Sequence, residues 1–178
     1  MPWTLTLILL VVVAIAAFTD IKTRRIPNWL VLSGLVLGIA LNWFLFGWSG
    51  LKSSLLGMAV GFGIYFVFYL LHAMSAGDVK LMAAIGSLVG PQYWLAIFFF
   101  TAIGGGIIAV VLLLAKGRFR RTVFNIGIAV QELRRFRAPY LEHEELDVRS
   151  GKALRLPHGV AIALGSICFV FIQYLQFR

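Results

Sequence analysis

Acidic residues are scarce in this chain, and their placement is uneven. The 178 residues include 7 Asp and Glu against 16 Lys and Arg. Only Asp20 and Asp78 precede Glu132, and the remaining acidic residues share one polar segment: Glu132, Glu142, Glu144, Glu145 and Asp147. Asp20 and Asp78 each border long apolar runs, and an ionised side chain costs about 2.5–3.5 kcal/mol at the centre of a membrane helix. Both positions therefore call for a functional explanation.

Charge of either sign is sparse. Charged residues make up 13% of the chain and hydrophobic residues 61%, whereas soluble domains average about 25% charged residues. This composition excludes an ordinary soluble domain and indicates an all-α, polytopic integral membrane protein. There is room for five or six spanning helices of about 20 residues each and one modest loop, but not for a separate catalytic domain.

Cysteine is nearly absent, since Cys168 is the only one. It cannot form an internal disulfide or a multi-cysteine zinc site, and we expect it to be a small buried hydrophobe. We find no phosphate-binding loop, helical zinc motif or nucleophile elbow. The sequence therefore predicts no metal and no cofactor.

The apolar runs predict about six spans, at residues 3–19, 29–46, 51–72, 79–89, 92–115 and 157–177. Pro27 disfavours helical geometry at Ile26 and should separate the first two spans. The fourth span covers only about 16 Å of a core about 30 Å thick. It would begin inside the membrane, which is tolerated where backbone lines a cavity or is buried in protein. Glycine recurs at a spacing of four in three pairs: 34/38, 57/61 and 86/90. This spacing either allows close contact between helices or simply reflects the high glycine content of membrane helices.

Basic residues orient these spans. Three lie in the link at residues 19–28, Lys80 lies beside Asp78, and ten lie between Lys116 and Arg155, whereas Lys52 and Arg178 fall on the other side. The excess of basic residues in cytoplasmic loops predicts both chain ends outside and both aspartates on the cytoplasmic side. The net charge of +9 then favours anionic lipid headgroups over nucleic acid as the partner. The segment at 116–156 is either a solvated loop or carries a surface helix around 124–136.

Asp20 and Asp78 could act as a pair. If they approach each other, repulsion and partial desolvation leave one proton on the two carboxyl groups. The ionised member can take a proton from water while the protonated member polarises a peptide carbonyl, which is amide hydrolysis without a metal. Gly77 would let the backbone approach a substrate closely. Alternatively, each aspartate pairs with a nearby lysine, Lys22 or Lys80, or Asp78 is the N-cap of the fourth span.

Three motifs in order carry a resemblance. They are Asp-Ile-Lys-Thr-Arg-Arg-Ile-Pro-Asn at 20–28, Ala-Gly-Asp-Val-Lys-Leu at 76–81 and Pro-His-Gly-Val-Ala-Ile-Ala-Leu-Gly at 157–165. Together they resemble the bacterial type IV prepilin peptidases, which are intramembrane aspartyl proteases of six helices. Those enzymes remove the short basic leader from prepilins and pseudopilins at the cytoplasmic face of the inner membrane. The resemblance implies that Asp20 and Asp78 are the catalytic aspartates.

Other positions match the family less directly. Gly77 matches the second glycine of the family signature, but Ser75 stands where that signature has glycine, and His158 stands where an aromatic residue is usual. The resemblance suggests substrate-binding or site-shaping roles for Lys22, Arg25, Pro27, Asn28, Gly77, Lys80, Pro157 and Gly159. Basic residues among them would attract a glutamate that follows the cut in family substrates, and the acidic patch at 142–147 would attract the basic leader.

The bifunctional family members carry an additional domain with paired cysteine motifs and methylate the new amino terminus. This chain resembles the short Tad/Flp-type members instead. The resemblance implies one membrane peptidase domain over residues 1–178, including the basic loop at 116–156. It also implies cleavage without methylation and without S-adenosylmethionine.

Two other functions are compatible with membrane carboxylates. A small proton-coupled transporter would place acidic groups near the bilayer midplane and show a repeat between its halves. A non-catalytic membrane component of a pilus or secretion machine would tolerate Asp20→Asn and Asp78→Asn. The sequence places the carboxylates at span ends and shows no repeat, which favours the peptidase.

Overall fold

The computed structural model describes residues 1–117 and 158–176. Within these ranges the chain forms four helices and no strand: α1 (Trp3–Thr23), α2 (Asn28–Leu70), α3 (Ala76–Ala115) and α4 (His158–Gln176). All four are long and apolar enough to cross a membrane. The predicted all-α membrane class is thereby confirmed.

Helix α2 reverses direction at Gly47. As a straight rod its 43 residues would extend about 64 Å, twice the thickness of a bilayer core. Gly47 has φ 59°, a left-handed conformation that glycine adopts without steric cost. After this break, Gly50 packs so closely on Asn42 that a Cβ at Gly50 would overlap the Asn42 carbonyl oxygen. The two parts of α2 therefore run antiparallel.

Helix α3 reverses in the same way at Gly90, where φ is 77° and Pro91 follows. The Trp94 indole N–H donates to the Met82 carbonyl at 3.0 Å, although a straight helix would separate these residues by about 18 Å. Both reversals fall where the sequence predicts the end of a span. The count of six membrane crossings is not confirmed by the four described helices and stays a prediction.

The segment at 76–89, the first part of α3, is the centre of the fold. Residues 81–90 are all buried, so other helices surround this short piece on every side. Glycine makes that possible, because a Cβ at Gly57 would overlap the Gly86 carbonyl oxygen and a Cβ at Gly38 would lie 2.8 Å from the Ser87 carbonyl carbon. Of the two explanations that the glycine spacing left open, close helix contact is the one that these approaches favour.

Two buried polar side chains close the carbonyl end of this central segment. Asn42 Nδ2 donates to the carbonyls of Ser87 and Leu88, each at 3.1 Å, and Ser54 Oγ donates to the Ser87 carbonyl at 2.7 Å. The break at Gly90 deprives these carbonyls of partners within the helix. Leaving one of them unsatisfied would cost about 1–3 kcal/mol.

Several predicted boundaries are wrong. α1 continues to Thr23, so Asp20 lies inside the helix instead of in a link, because the polar residues that follow it remain compatible with helical geometry. α3 begins at Ala76 and not at Val79, since Ser75 provides the cap, and α2 stops at Leu70, short of His72. Cys168 is exposed and not buried, because it lies on the outward face of α4.

Some predictions fall outside the described residues. These are the loop at 118–156, the surface helix around 124–136, the acidic patch at 142–147 and the position of Pro157.

Candidate active site

Asp20 occupies a core position in the last turns of α1. The buried residues Leu9, Val13 and Ala16 precede it at spacings of four, three and four, which is the stripe of a core-facing helix surface. Asp20 extends that stripe and is 9% exposed. Arg24 caps the helix one turn later, about 6 Å along its axis. The carboxyl group is thus buried close to a charged helix end.

Asp78 lies in the first turn of α3 and is 4% exposed. The prediction that Asp78 is the N-cap is wrong, because Ser75 holds that position and Asp78 is the third residue after it. The Ser75 backbone N–H donates to Asp78 Oδ2 at 3.1 Å, and the Asp78 N–H donates to Ser75 Oγ at 3.4 Å. This reciprocal arrangement satisfies two amide groups that a helix start leaves without partners. A helix amino terminus also favours a negative charge at this position.

Gly159, at the start of α4, contacts Asp20. Its backbone N–H donates to Asp20 Oδ2 at 2.8 Å, using one of the amide groups that the first turn of a helix leaves free. A Cβ at position 159 would lie 2.9 Å from Asp20 Cβ and 3.0 Å from Oδ2. Glycine is therefore the residue that lets this backbone reach the carboxyl group.

The two aspartates share one site. Asp78 interacts electrostatically with Asp20 and with His158, and Tyr65 of α2 interacts with Asp78 in the same way. All four helices consequently contribute to the surroundings of the pair. The hydrogen bonds from described residues reach only Oδ2 of each carboxyl group. Oδ1 of each has no hydrogen-bond partner within those residues.

Lys80 does not pair with Asp78. Its Nζ donates to Asn28 Oδ1 at 3.2 Å, and two residues of helix rotate it about 200° away from Asp78. Lys80 and Asn28 border an apolar groove of about 560 Å³, whose lining includes Trp29, Leu32 and Phe62. The structure therefore brings these two predicted site residues together, but on the far side of the central segment from Asp78.

The remaining candidates lie at the edge of the site. Lys22 and Arg25 are exposed and form no ion pair with either carboxyl group within the described part of the chain, which removes the Asp20–Lys22 alternative. Pro27 is the N-cap of α2. Gly77 packs on Ile26, and a Cβ there would meet the Ile26 Cβ at an ordinary 3.4 Å, so its backbone does not require glycine.

Tyr65 is the neighbour of the pair that sequence reasoning missed. It is 2% exposed and packs edge-on against Trp94 and Phe98. Nothing in its apolar run distinguishes it from a residue of the core. Ser75 and His158 stood out only as departures from the signature, and both prove to be neighbours of Asp78.

Fold and site together define a helical membrane protein with a buried aspartate pair near one end of its helices. The chain belongs to the type IV leader peptidase family, whose sequence model matches residues 7–110 and so includes both aspartates.

Curated relatives match a stretch of similar length. The chain is 30% identical over 109 residues to the prepilin leader peptidase/N-methyltransferase of Myxococcus xanthus, covering 57% of this chain and 32% of that protein. It is 30% identical over 115 residues to the protein of that name from Xanthomonas campestris, covering 61% and 40%. A third, from Neisseria gonorrhoeae, is 29% identical over 108 residues, covering 57% and 37%. The matched region spans well under half the length of these relatives. No solved structure matches the chain.

Proposed function

We propose that this chain is an intramembrane aspartyl endopeptidase that removes the short basic leader from type IV prepilins. One observation carries the proposal: two buried aspartates from different helices, α1 and α3, interact within one site. A buried carboxyl group without a charged partner is expensive in an apolar protein. Membership of the type IV leader peptidase family supports a peptidase chemistry for the pair.

The geometry suits a single-proton pair. Asp20 and Asp78 repel each other when both are ionised, which favours a state with a single proton on the pair. The ionised Oδ1 takes a proton from a water molecule as that water attacks the peptide carbonyl. The protonated carboxyl group donates a hydrogen bond to the carbonyl oxygen, and a proton then passes to the leaving amine. The donors on Oδ2, from Ser75 and Gly159, hold the carboxyl groups in place during this exchange.

We further propose where the enzyme works and on what. The exposed basic residues Lys22, Arg24 and Arg25 follow Asp20 within two turns, and such an excess supports a cytoplasmic location for this end of the molecule. The peptidase then lies in the bacterial inner membrane with both chain ends outside. Its substrates are Flp-type pilins and pseudopilins, it acts as one membrane domain, and it leaves the new amino terminus unmethylated.

Co-expression with a candidate Flp-type prepilin tests the proposal. Leader removal is measured as a mass decrease for the wild type, Asp20→Asn and Asp78→Asn, with Glu132→Gln as a control that removes a carboxylate elsewhere. Each variant is quantified in the membrane fraction. The same mass measurement distinguishes a free from a methylated amino terminus.

Loss of cleavage in both aspartate variants, with cleavage retained by the control, is the expected result. Cleavage by either Asp→Asn variant would refute a two-aspartate mechanism. That result would favour the alternative that the chain is a non-catalytic membrane component, whose function tolerates both substitutions.

A further inference from the structure

Ser75 holds Asp78 through two donors on one oxygen. The Ser75 hydroxyl donates to Asp78 Oδ2 at 2.9 Å, and the Ser75 backbone N–H reaches the same oxygen at 3.1 Å. The hydroxyl oxygen itself accepts from the Asp78 N–H at 3.4 Å. The Ser75 hydroxyl therefore donates to the carboxyl group and accepts from the backbone, and Asp78 is the acceptor of the bond between the two side chains.

Several other groups act on the same carboxyl group. Asp20 of α1 and His158 of α4 interact electrostatically with it, and the amino terminus of α3 favours the carboxylate. Tyr65 adds no charge while its phenol stays protonated. Hydrogen bonds to the ionised form stabilise it. The Ser75 hydroxyl is the one stabilising group that a glycine at position 75 would remove while leaving the backbone donor in place.

We propose that Ser75 is a positioning residue whose hydroxyl stabilises the ionised form of Asp78 and fixes Oδ2, which leaves Oδ1 for the reaction. Ser75 would act through Asp78 and would not touch the substrate. The effect of Ser75 on the protonation of Asp78 is a property of the folded protein, while its effect on cleavage rests on the proposed peptidase function. An experiment can therefore contradict one of these effects without contradicting the other.

A purely structural role must be distinguished, because serine is also a good helix N-cap. Three substitutions separate the roles. Ser75→Thr keeps both the cap and the hydroxyl donor. Ser75→Asp keeps the cap but, when ionised, supplies no donor and adds a charge. Ser75→Gly removes the donor and lowers the stability of the helix by only a few tenths of a kcal/mol. Ser33→Ala is the control, since the Ser33 hydroxyl donates to the Leu30 carbonyl of its own helix and to no other group of residues 1–117 and 158–176.

The first measurement is an infrared titration of the full chain in lipid nanodiscs, with isotope-labelled aspartate. The protonated carboxyl band that Asp78→Asn removes reports on Asp78. We expect its midpoint to lie about 1 pH unit higher in Ser75→Gly than in the wild type, from the strength of a hydrogen bond to a charged group. Ser75→Asp should shift at least as far, whereas Ser75→Thr and Ser33→Ala should match the wild type.

The pH profile of prepilin cleavage is the second measurement. The pH midpoint of one limb of the profile should be higher in Ser75→Gly than in the wild type, by the same amount as the infrared midpoint. In Ser75→Thr it should equal the wild-type value. An acidic limb that moves assigns Asp78 as proton acceptor, and an alkaline limb assigns it as donor. An infrared midpoint that is equal in the wild type and Ser75→Gly would overturn the inference. Absence of cleavage by the wild type would refute the proposed function and leave the infrared result standing.

Discussion

The Gly159 backbone N–H donates to Asp20 Oδ2 at 2.8 Å across 139 residues of sequence. This bond joins the first and last described helices at the site. The donor is a backbone group, so Asp20 depends on how closely the first turn of α4 approaches it.

Gly159→Ala should therefore impair cleavage. A Cβ 2.9 Å from Asp20 Cβ must push α4 away and lengthen the bond to Oδ2. Loss of a hydrogen bond to a charged group corresponds to about a 10- to 100-fold lower kcat/KM. Initial rates of leader removal measure the effect. Gly106→Ala is the matched control, because a Cβ there meets nothing within 4 Å, and equal rates for both variants would contradict the role of Gly159.

His158→Phe should slow cleavage. His158 interacts electrostatically with Asp78, and phenylalanine keeps an aromatic ring at this position but removes the group that can carry a positive charge beside the carboxyl group. Initial rates of leader removal measure the effect. Rates equal to those of the wild type would show that the pair does not depend on the imidazole of His158.

Gly57→Ala should destabilise the fold. The added methyl group would overlap the Gly86 carbonyl oxygen of the central segment, and neither backbone can move without disturbing a buried helix. We expect a cost of about 1–3 kcal/mol, as for overpacked cores, observed as a lower thermal midpoint in detergent. Gly63→Ala introduces the same methyl group into open space six residues later. Its midpoint should match the wild type, and equal loss in both variants would argue against close packing at Gly57.

Asn42→Leu should also lower the midpoint. The substitution keeps side-chain size but removes the amide that donates to the Ser87 and Leu88 carbonyls. Each buried carbonyl left without a donor costs about 1–3 kcal/mol, although Ser54 still serves Ser87. A variant as stable as the wild type would show that the carbonyl end of the central segment does not depend on Asn42.

Lys80→Gln should weaken substrate binding without changing the chemical step. Lys80 borders the apolar groove and points away from Asp78, so its charge can attract a substrate carboxylate but cannot reach the reacting atoms. We expect a higher KM at unchanged kcat. Lys52→Gln removes an equal charge at the opposite end, where Lys52 lies over the Trp48 ring, and should change neither constant. A fall in kcat for Lys80→Gln would contradict this placement.

Much of this architecture follows from sequence because membranes impose simple rules. Apolar run lengths located the helices, and Gly47 and Gly90 marked the reversals, since no other residue adopts those φ values freely. The boundaries near Asp20 and Asp78 were harder to predict. Polarity in the sequence after Asp20 suggested a link, yet the backbone stays helical to Thr23. A helix end is set by capping, and not by where hydrophobicity stops.

The site was only partly predictable for a related reason. Asp20 and Asp78 stood out because charge is costly in apolar surroundings. The position of Lys80 could not be predicted in this way. Its proximity in sequence to Asp78 suggested a shared site, but helical rotation places it on another face of α3. Tyr65 carried no sequence signal, because its role follows only from the packing of α2 against α3.

The bond between Gly159 and Asp20 also sets an order of events during synthesis. α1 and α3 leave the ribosome well before α4, which packs against both of them. Until α4 has entered the membrane, Asp20 lacks its backbone donor and the pair lacks one wall. A nascent chain therefore carries both aspartates in an incomplete pocket, and the proposed peptidase activity would begin only when the last described helix has been made.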